Sequence, residues 1–458
     1  MAAGRLGNQN KDTTILKRRI AIFTINVIFF FVFAEIFSLV IYFFQNGGVF
    51  YLHRRPYQLI PETNNQALTF NGLHPYFGPT HKPGAPFRIP EKLRDKLLGN
   101  NLELLNSVKF PEGATNNFGF VSPYNYPYIK KSDNQFIVAI FGGSVGVWFC
   151  QLGTNRLTEN LKQNNFFKDK ELIVLCFSHE GYKQPQQLLI LSYFLSIGQQ
   201  FDLVINIDGY NEIALSSLNN ERGLDISMPS FQHIDPLINL TDQSTLTPEK
   251  LNSLAKINNY KIQLNTLAQI INNNPLASLN FVLEQFYKII SNNYQVELVN
   301  FDKLRSNPSK SSLIYVTPKV KDRGGEILFE DIAKTWVSST ILMNELLAAQ
   351  NIAYFHFLQP NQYYTIRVFG DYESNIALSN ESPHKDNIEK GYPFLVKASI
   401  ALKNKVNFFD GTDIFDDEPS PVYMDSCCHY TLLGNEILAD FMANSILNSK
   451  GVWQNVTN

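Results

Sequence analysis

Four short stretches of this chain hold residue types that could do chemistry together. Gly142-Gly143-Ser144-Val145-Gly146 follows an apolar hexad, Phe136–Phe141. A serine on a strand-to-helix turn stands at the carboxyl edge of a sheet, where ligands bind. It also sits at a helix N-terminus, whose backbone N–H groups can stabilise an oxyanion. The glycines permit the tight turn and the close approach of a substrate. Taken alone, a Gly-Gly-Ser turn is more often only a turn. No Gly-Lys-Ser/Thr follows, which disfavours a phosphate loop, and Phe141 stands where a dinucleotide fingerprint needs its first glycine.

The other three stretches change the odds. After a second apolar run come His179-Glu180-Gly181-Tyr182 and Gln186; after a third come Asp208-Gly209-Tyr210-Asn211-Glu212. Near the C-terminus, Asp425-Ser426-Cys427-Cys428-His429 precedes Gly434-Asn435 and a closing helical stretch. The letters around Ser144 also fit the G-x-S-x-G elbow, but here they follow the first strand, with no HGGG-type segment ahead.

This set, in this order, resembles the SGNH (GDSL-like) hydrolase family. Gly-Gly-Ser144 stands at its Gly-Asp-Ser block, Gly181 at its glycine block, Gly-Tyr-Asn211 at its G-x-N-D block and His429 at the histidine of its D-x-x-H block. Asn116-Asn117-Phe118-Gly119-Phe120 is similar to a segment of membrane-anchored members. The resemblance spans roughly residues 115 to 448. It implies Ser144 as nucleophile, His429 as base and then acid, and an oxyanion hole built from the N–H groups of Ser144 and Gly181 and the Asn211 amide. It implies no cofactor and no metal. Three departures stand out. Gly143 replaces Asp before the nucleophile, and Glu212 replaces Asp after Asn211. Ser426 occupies the position of the triad acid, while the nearest carboxylate, Asp425, lies four residues before His429. Either Asp425 orients the imidazole after a small loop shift, or a Ser–His dyad works with a backbone carbonyl.

The elements that must position these residues are legible as strands alternating with helices, the pattern of a parallel α/β sheet. Strands are expected at Phe136–Phe141, Glu171–Phe177, Asp202–Ile207, Ile352–Leu358 and Val406–Phe409. Helices are expected up to about Gln163, at Pro185–Gly198, about Ile332–Gln350 and Leu433–Leu447. The implied fold is a flavodoxin-like three-layer sheet over residues 134–450, with an insertion at about 218–331 whose part from roughly Pro248 to Asn293 reads as helical and Asn-rich. That insertion reads as a lid, an interaction surface or, slightly favoured, a structural elaboration. Residues 45–133 read as a loop-rich segment packed on the main domain, with helical periodicity only around Glu91–Leu105.

Ile20–Phe44 is an apolar run whose one charge is Glu35. As a helix it spans about 37 Å, enough to cross a bilayer with tilt. The residues after it offer no small-x-small cleavage site, so it reads as an uncleaved signal anchor over residues 20–44. Arg5, Lys11, Lys17, Arg18 and Arg19 precede it, and only Arg54 and Arg55 follow closely. The positive-inside rule keeps residues 1–19 in the cytoplasm and exports the rest. Glu35 is costly at that depth. Its expected partners are Asn26 of another copy or another helix; otherwise it is a protonated or snorkelling carboxyl.

Composition bounds the remaining readings. The chain has 458 residues and a net charge of -2, which excludes a strongly basic nucleic-acid binder. Four cysteines without a CxxC pair argue against a disulfide scaffold and a structural zinc site. Cys427 and Cys428 could pair with Cys150 or Cys176, and the sequence does not choose. His179 reads as a satisfied loop histidine and His356 as core. Asp410, Asp413, Asp416 and Asp417 read as a solvated turn without the regular spacing of a calcium loop. The expected protein is a single-pass serine esterase or acyltransferase of the cytoplasmic membrane, acting outside the cytoplasm on O-acyl esters of a carbohydrate or envelope glycan. The rival is a non-catalytic scaffold or glycan-binding protein of the same fold. Asn/Lys usage points to a bacterium.

Overall fold

Strands buried on both faces read as unbroken apolar runs, and three such runs of this chain pair with two partly exposed edge strands into one sheet. The computed structural model describes residues 5–46, 48–53, 57, 72–99, 110–234, 248–305, 323–378 and 382–454. Its principal elements, in chain order, are α1 (Arg5–Asn46), β1 (Gln135–Gly142), α2 (Ser144–Leu152), β2 (Glu171–Cys176), α3 (Gln186–Ser196), β3 (Leu203–Asp208) and α4 (Tyr210–Glu221). These are followed by α5 (Pro248–Asn273), α6 (Ala277–Arg305), α7 (Glu326–Ala348), β4 (Ala353–Leu358), β5 (Asn407–Asp410) and α8 (Leu432–Asn448). They form two compact units. One comprises Met1–Asn64 and Leu240–Ile314, the other Asn65–Asn239 and Tyr315–Asn458.

The larger unit holds the sheet. Every pairing in it is parallel, in the order β2-β1-β3-β4-β5. This is the doubly wound order in which ligands bind at the carboxyl ends of the strands flanking the switch point, here β1 and β3. Alternation along each strand sorts the core into two layers. Val138, Ile140, Leu203, Ile205 and Phe357 pack with Phe149 of α2, Trp336 of α7 and Met442 of α8. Ile137, Ala139, Phe141, Leu175 and Val204 pack on the opposite face with Ile190 and Phe194 of α3. Phe77, Phe120 and Tyr126 join this second layer, so the aromatic segment ahead of β1 is part of the core.

The strands lie within a residue or two of the sequence reading. Other boundaries differ. Two small antiparallel pairs, Gly72–His74 with Gly78–Thr80 and Pro86–Arg88 with Glu112–Ala114, stand where only loops are expected. The helix at Glu91 ends at Leu97, and the expected continuation at residues 100–105 lies outside the described residues. α4 and α7 cover both ends of the expected insertion, and residues 240–314 belong to the same compact unit as α1.

In that smaller unit, Lys17–Gln45 of α1 is long and apolar enough to cross a membrane. Glu35 finds its partners within this chain. Its carboxylate accepts the backbone N–H groups of Ala277 (2.7 Å) and Ser278 (2.9 Å), the Ser278 hydroxyl (2.6 Å) and the Tyr51 hydroxyl (3.2 Å). Of the two expected partners, Asn26 of another copy or another helix, the structure shows the helix: the N-terminus of α6, whose orphan amides favour a carboxylate.

A buried ion pair anchors the chain that leads into the histidine loop. Arg367 Nη2 donates to Glu373 Oε2 at 2.8 Å, and both side chains are buried. Arg367 also donates to the carbonyls of Phe415 and Ser420, both at 2.7 Å. Glu373 Oε1 accepts Val422 N–H (2.7 Å) and Tyr423 N–H (2.9 Å). Removing one partner leaves an uncompensated buried charge. Glu373→Ala is therefore expected to lower the stability of the larger unit by about 3–5 kcal/mol. Denaturant titration of the detergent-solubilised chain checks this, and an unchanged midpoint would contradict it.

Candidate active site

The site is assembled where β1, β2 and β3 end. Ser144 opens α2 directly after β1, with Gly143 as the preceding cap residue. An ideal Cβ on Gly143 would lie 2.1 Å from Asn211 Nδ2 and 3.0 Å from the Tyr182 carbonyl oxygen. The departure from Gly-Asp-Ser thus has a local cause: this position touches Asn211, and a side chain does not fit. Asn211, in the first turn of α4, donates from Nδ2 to Tyr182 O at 2.9 Å. A primary amide carries two N–H donors, so one fixes its orientation and the second can serve a ligand. Gly181 has φ +74°, and a Cβ there would lie 2.1 Å from His233 Cε1. Backbone conformation and packing both demand glycine.

Glu212, the second departure, is a buried brace. It accepts Gly209 N–H at 2.7 Å and Gln184 N–H at 2.9 Å, tying the start of α4 to the segment after Gly181. Burial first, and then the neighbouring Asp208 charge, raise its pKa to about 8. Asp208 in turn accepts Trp336 Nε1 and pairs with His356 Nε2, both at 2.7 Å. His356 Nδ1 lies 3.0 Å from Thr340 Oγ1, so His356 is a satisfied core residue.

The histidine loop supplies the other half. Met424 N–H donates to His429 O at 3.0 Å, closing a tight hairpin around residues 425–428. The turn wraps Asp425, whose Oδ1 accepts the N–H groups of Cys427 (2.9 Å), Cys428 (3.2 Å) and His429 (3.3 Å). Oδ2 is left to face the imidazole, 2.5 Å from His429 Nδ1, and His429 Nε2 is 2.7 Å from Ser144 Oγ. Residues after β4 hold this loop from behind. Gln362 Nε2 donates to Asp425 O (3.1 Å) and Tyr363 Oη to Ser426 O (2.8 Å). The D-x-x-x-H spacing is thus accommodated by the turn itself. Asp425 makes the bond, and Ser426 holds the loop through its carbonyl.

Electrostatics follow from that geometry. Burial alone would depress the His429 pKa, but the Asp425 charge and hydrogen bond outweigh it and raise the pKa to about 9. Burial would raise the Asp425 carboxyl, yet the His429 charge and the hydrogen bonds it accepts hold it below its ordinary value. The arrangement can deprotonate a hydroxyl at Ser144 and hold the resulting imidazolium.

A second histidine group lies against the glycine turn. His81 Nε2 is 2.9 Å from Glu180 Oε2, and His179 Nδ1 is 3.0 Å from the Glu180 carbonyl. Burial lowers the pKa of His179 to about 3 and that of His233 to about 4. His179 is therefore a neutral, fully enclosed loop residue. The Asn116–Phe120 loop cradles this group. Asn116 Oδ1 accepts Phe118 and Phe120 N–H, and Gly119, at φ +83°, lies against the His81 backbone. His81, His179 and Glu180 form one cluster with metal-ligand atoms within 4.8 Å of one another, and Cys427, Cys428 and His429 form another. In the second, both His429 nitrogens already serve Asp425 and Ser144.

Cys150 of α2 and Cys176 at the end of β2 form a disulfide, with Cα atoms 6.0 Å apart. Pairing of either with Cys427 or Cys428 is thereby excluded. Those two are free thiols in the histidine loop, with sulfurs 3.5 Å apart. Asp410 Oδ1 caps its own turn through Thr412 N–H and Oγ1, in keeping with a solvated turn.

If the Asn211 amide serves a reacting oxygen, Asn211→Ala should lower kcat on an acyl ester by about 10²–10³-fold with the fold retained. Steady-state kinetics check this; an unchanged kcat would take Asn211 out of the site. No family model matches the chain, and no curated protein matches it.

Proposed function

We propose that this chain is a membrane-anchored serine hydrolase or acyltransferase of SGNH type, acting on O-acyl esters outside the cytoplasm. The observation that carries the reading is the relay Ser144–His429–Asp425, with hydrogen bonds of 2.7 and 2.5 Å, the first of which joins segments far apart in sequence. The doubly wound strand order and the approach of the Asn211 amide to Gly143, the residue before Ser144, support it.

In the proposed mechanism Ser144 Oγ attacks the acyl carbonyl while His429 Nε2 takes its proton. Asp425 holds the tautomer and stabilises the imidazolium. The N–H groups of Ser144 and Gly181 and the Asn211 amide receive the oxyanion. Collapse expels the alcohol, which takes the proton back from His429, and leaves an acyl-enzyme on Ser144. Water then completes hydrolysis, or a sugar hydroxyl completes transfer. A carbohydrate or envelope glycan as substrate follows from the family tendency and the membrane anchor.

The test is turnover by the full-length protein in detergent, with an aryl acetate and an O-acetylated oligosaccharide as substrates. Release of acetate, or its transfer to an added saccharide, is expected. Inertness towards every short acyl ester offered would favour a scaffold of the same fold.

A further inference from the structure

The helical hairpin α5–α6 lies in the same compact unit as α1, and its details suit lipid better than water. Glu35 precedes Gln45, the end of the apolar span, by ten residues. That is about 15 Å along the helix. At this level Glu35 accepts the first two N–H groups of α6, which pins the hairpin apex well below the end of the span. α6 packs along α1, and further along α6 the Tyr287 ring packs on Tyr57, with centroids 4.6 Å apart.

The charge pattern of the hairpin matches that placement. From Ile262 to Tyr287 the only charged residue is Glu284, and Lys261 and Lys288 flank this stretch. Lys261 lies twelve residues before Asn273, the end of α5, and Lys288 lies eleven after Ala277, the start of α6. Both therefore stand about 16–18 Å from the apex, close to the distance from Glu35 to Gln45. Ile270, Leu276, Leu279, Val282 and Phe286 are exposed around the apex. The exposed polar residues there, such as Thr266 and Gln269, are uncharged, and charge is what a bilayer rejects most strongly.

Lipid also requires backbone polar groups to be satisfied within the protein. The hairpin turn meets this. Asn274 Nδ2 donates to Leu276 O (3.1 Å) and Asn280 Oδ1 (2.8 Å), Asn280 Nδ2 donates to Asn274 O (3.3 Å), and Glu35 closes the start of α6. Asn272 pairs with the Tyr57 backbone through both its N–H and its carbonyl (2.8 and 2.9 Å).

We infer that the α5–α6 hairpin is a re-entrant element. Its apex enters the bilayer beside α1 to the depth of Glu35, with Leu276, Leu279, Val282 and Phe286 among the acyl chains and Lys261 and Lys288 at the headgroups. The inference rests on α1 crossing the membrane and is independent of the chemistry at Ser144.

Spin labels test it in the full chain reconstituted in phosphatidylcholine–phosphatidylglycerol vesicles. Cys427→Ser and Cys428→Ser remove the free thiols, and labels are placed singly at Leu276→Cys, Leu279→Cys, Lys256→Cys and Phe29→Cys. Labels at 276 and 279 are expected to match the one at 29 in α1, colliding more with oxygen than with an aqueous nickel chelate, while the label at 256 shows the reverse. Adding Glu35→Ala should shift the label at 276 towards the aqueous reagent. Aqueous behaviour at 276 and 279 with lipid behaviour at 29 would overturn the re-entrant hairpin alone. Aqueous behaviour at all four would overturn the span and the hairpin together.

Discussion

Replacing Ser144 by alanine is expected to reduce turnover of a short acyl ester by roughly 10⁴–10⁶-fold, the scale on which a serine hydrolase loses covalent catalysis. The substitution removes one oxygen from a partly buried residue that opens α2, so the fold should survive. His429 would keep its bond to Asp425, and the thermal midpoint should stay close to that of the parent. The residual rate, from oxyanion donors and binding alone, should no longer depend on the His429 protonation state. Activity within about tenfold of the parent would remove Ser144 from the mechanism, because no other hydroxyl group is hydrogen-bonded to His429 among the described residues.

The second large effect concerns Asp425. It is the group that raises His429, and only the neutral imidazole can take a proton from Ser144. The value of kcat/KM should therefore climb as pH rises through the His429 pKa, about 9 rather than the ordinary 6.5. Asp425→Asn removes the largest opposing charge and leaves burial opposed only by the lesser pull of Cys427 and Glu180. The rising limb should then move to lower pH, while the plateau falls by about 10⁴-fold because the amide favours the wrong tautomer. Ser426→Ala should leave both nearly unchanged, since Ser426 contributes its carbonyl. A pH–rate profile of the three proteins decides it. A parent limb near 6.5, or a silent Asp425→Asn, would leave a Ser–His dyad.

The sheet was legible because buried parallel strands announce themselves as short apolar runs, and all five lie within a residue or two of the expected positions. The small strands at Gly72 and Pro86 were not, since three-residue strands carry no readable period. Ser144 and Asn211 open α2 and α4, and Gly181 and His429 stand in the loops after β2 and before α8, so short motifs in chain order were enough to carry the resemblance that names them. The place of Asp425 could not be decided from spacing, because it depends on a turn closing around Oδ1. The reason for glycine at 143 could not be read from the sequence, because it lies in the approach of Asn211 from a distant segment. Contacts between distant segments were beyond reach: His81 with Glu180, Arg367 with the chain before the histidine loop, and Glu35 with the start of α6. None of these leaves a local pattern.

The most direct measurement is covalent labelling by a fluorophosphonate. The reagent reacts with a serine only where a base and an oxyanion site activate it. Incubated with the full-length protein in detergent and analysed by peptide mass spectrometry, it should modify a single residue, Ser144. Labelling should vanish in His429→Ala and fall steeply in Asp425→Asn. An unlabelled, folded parent protein, or labelling that persists without His429, would contradict the assignment of this site to serine-based acyl chemistry.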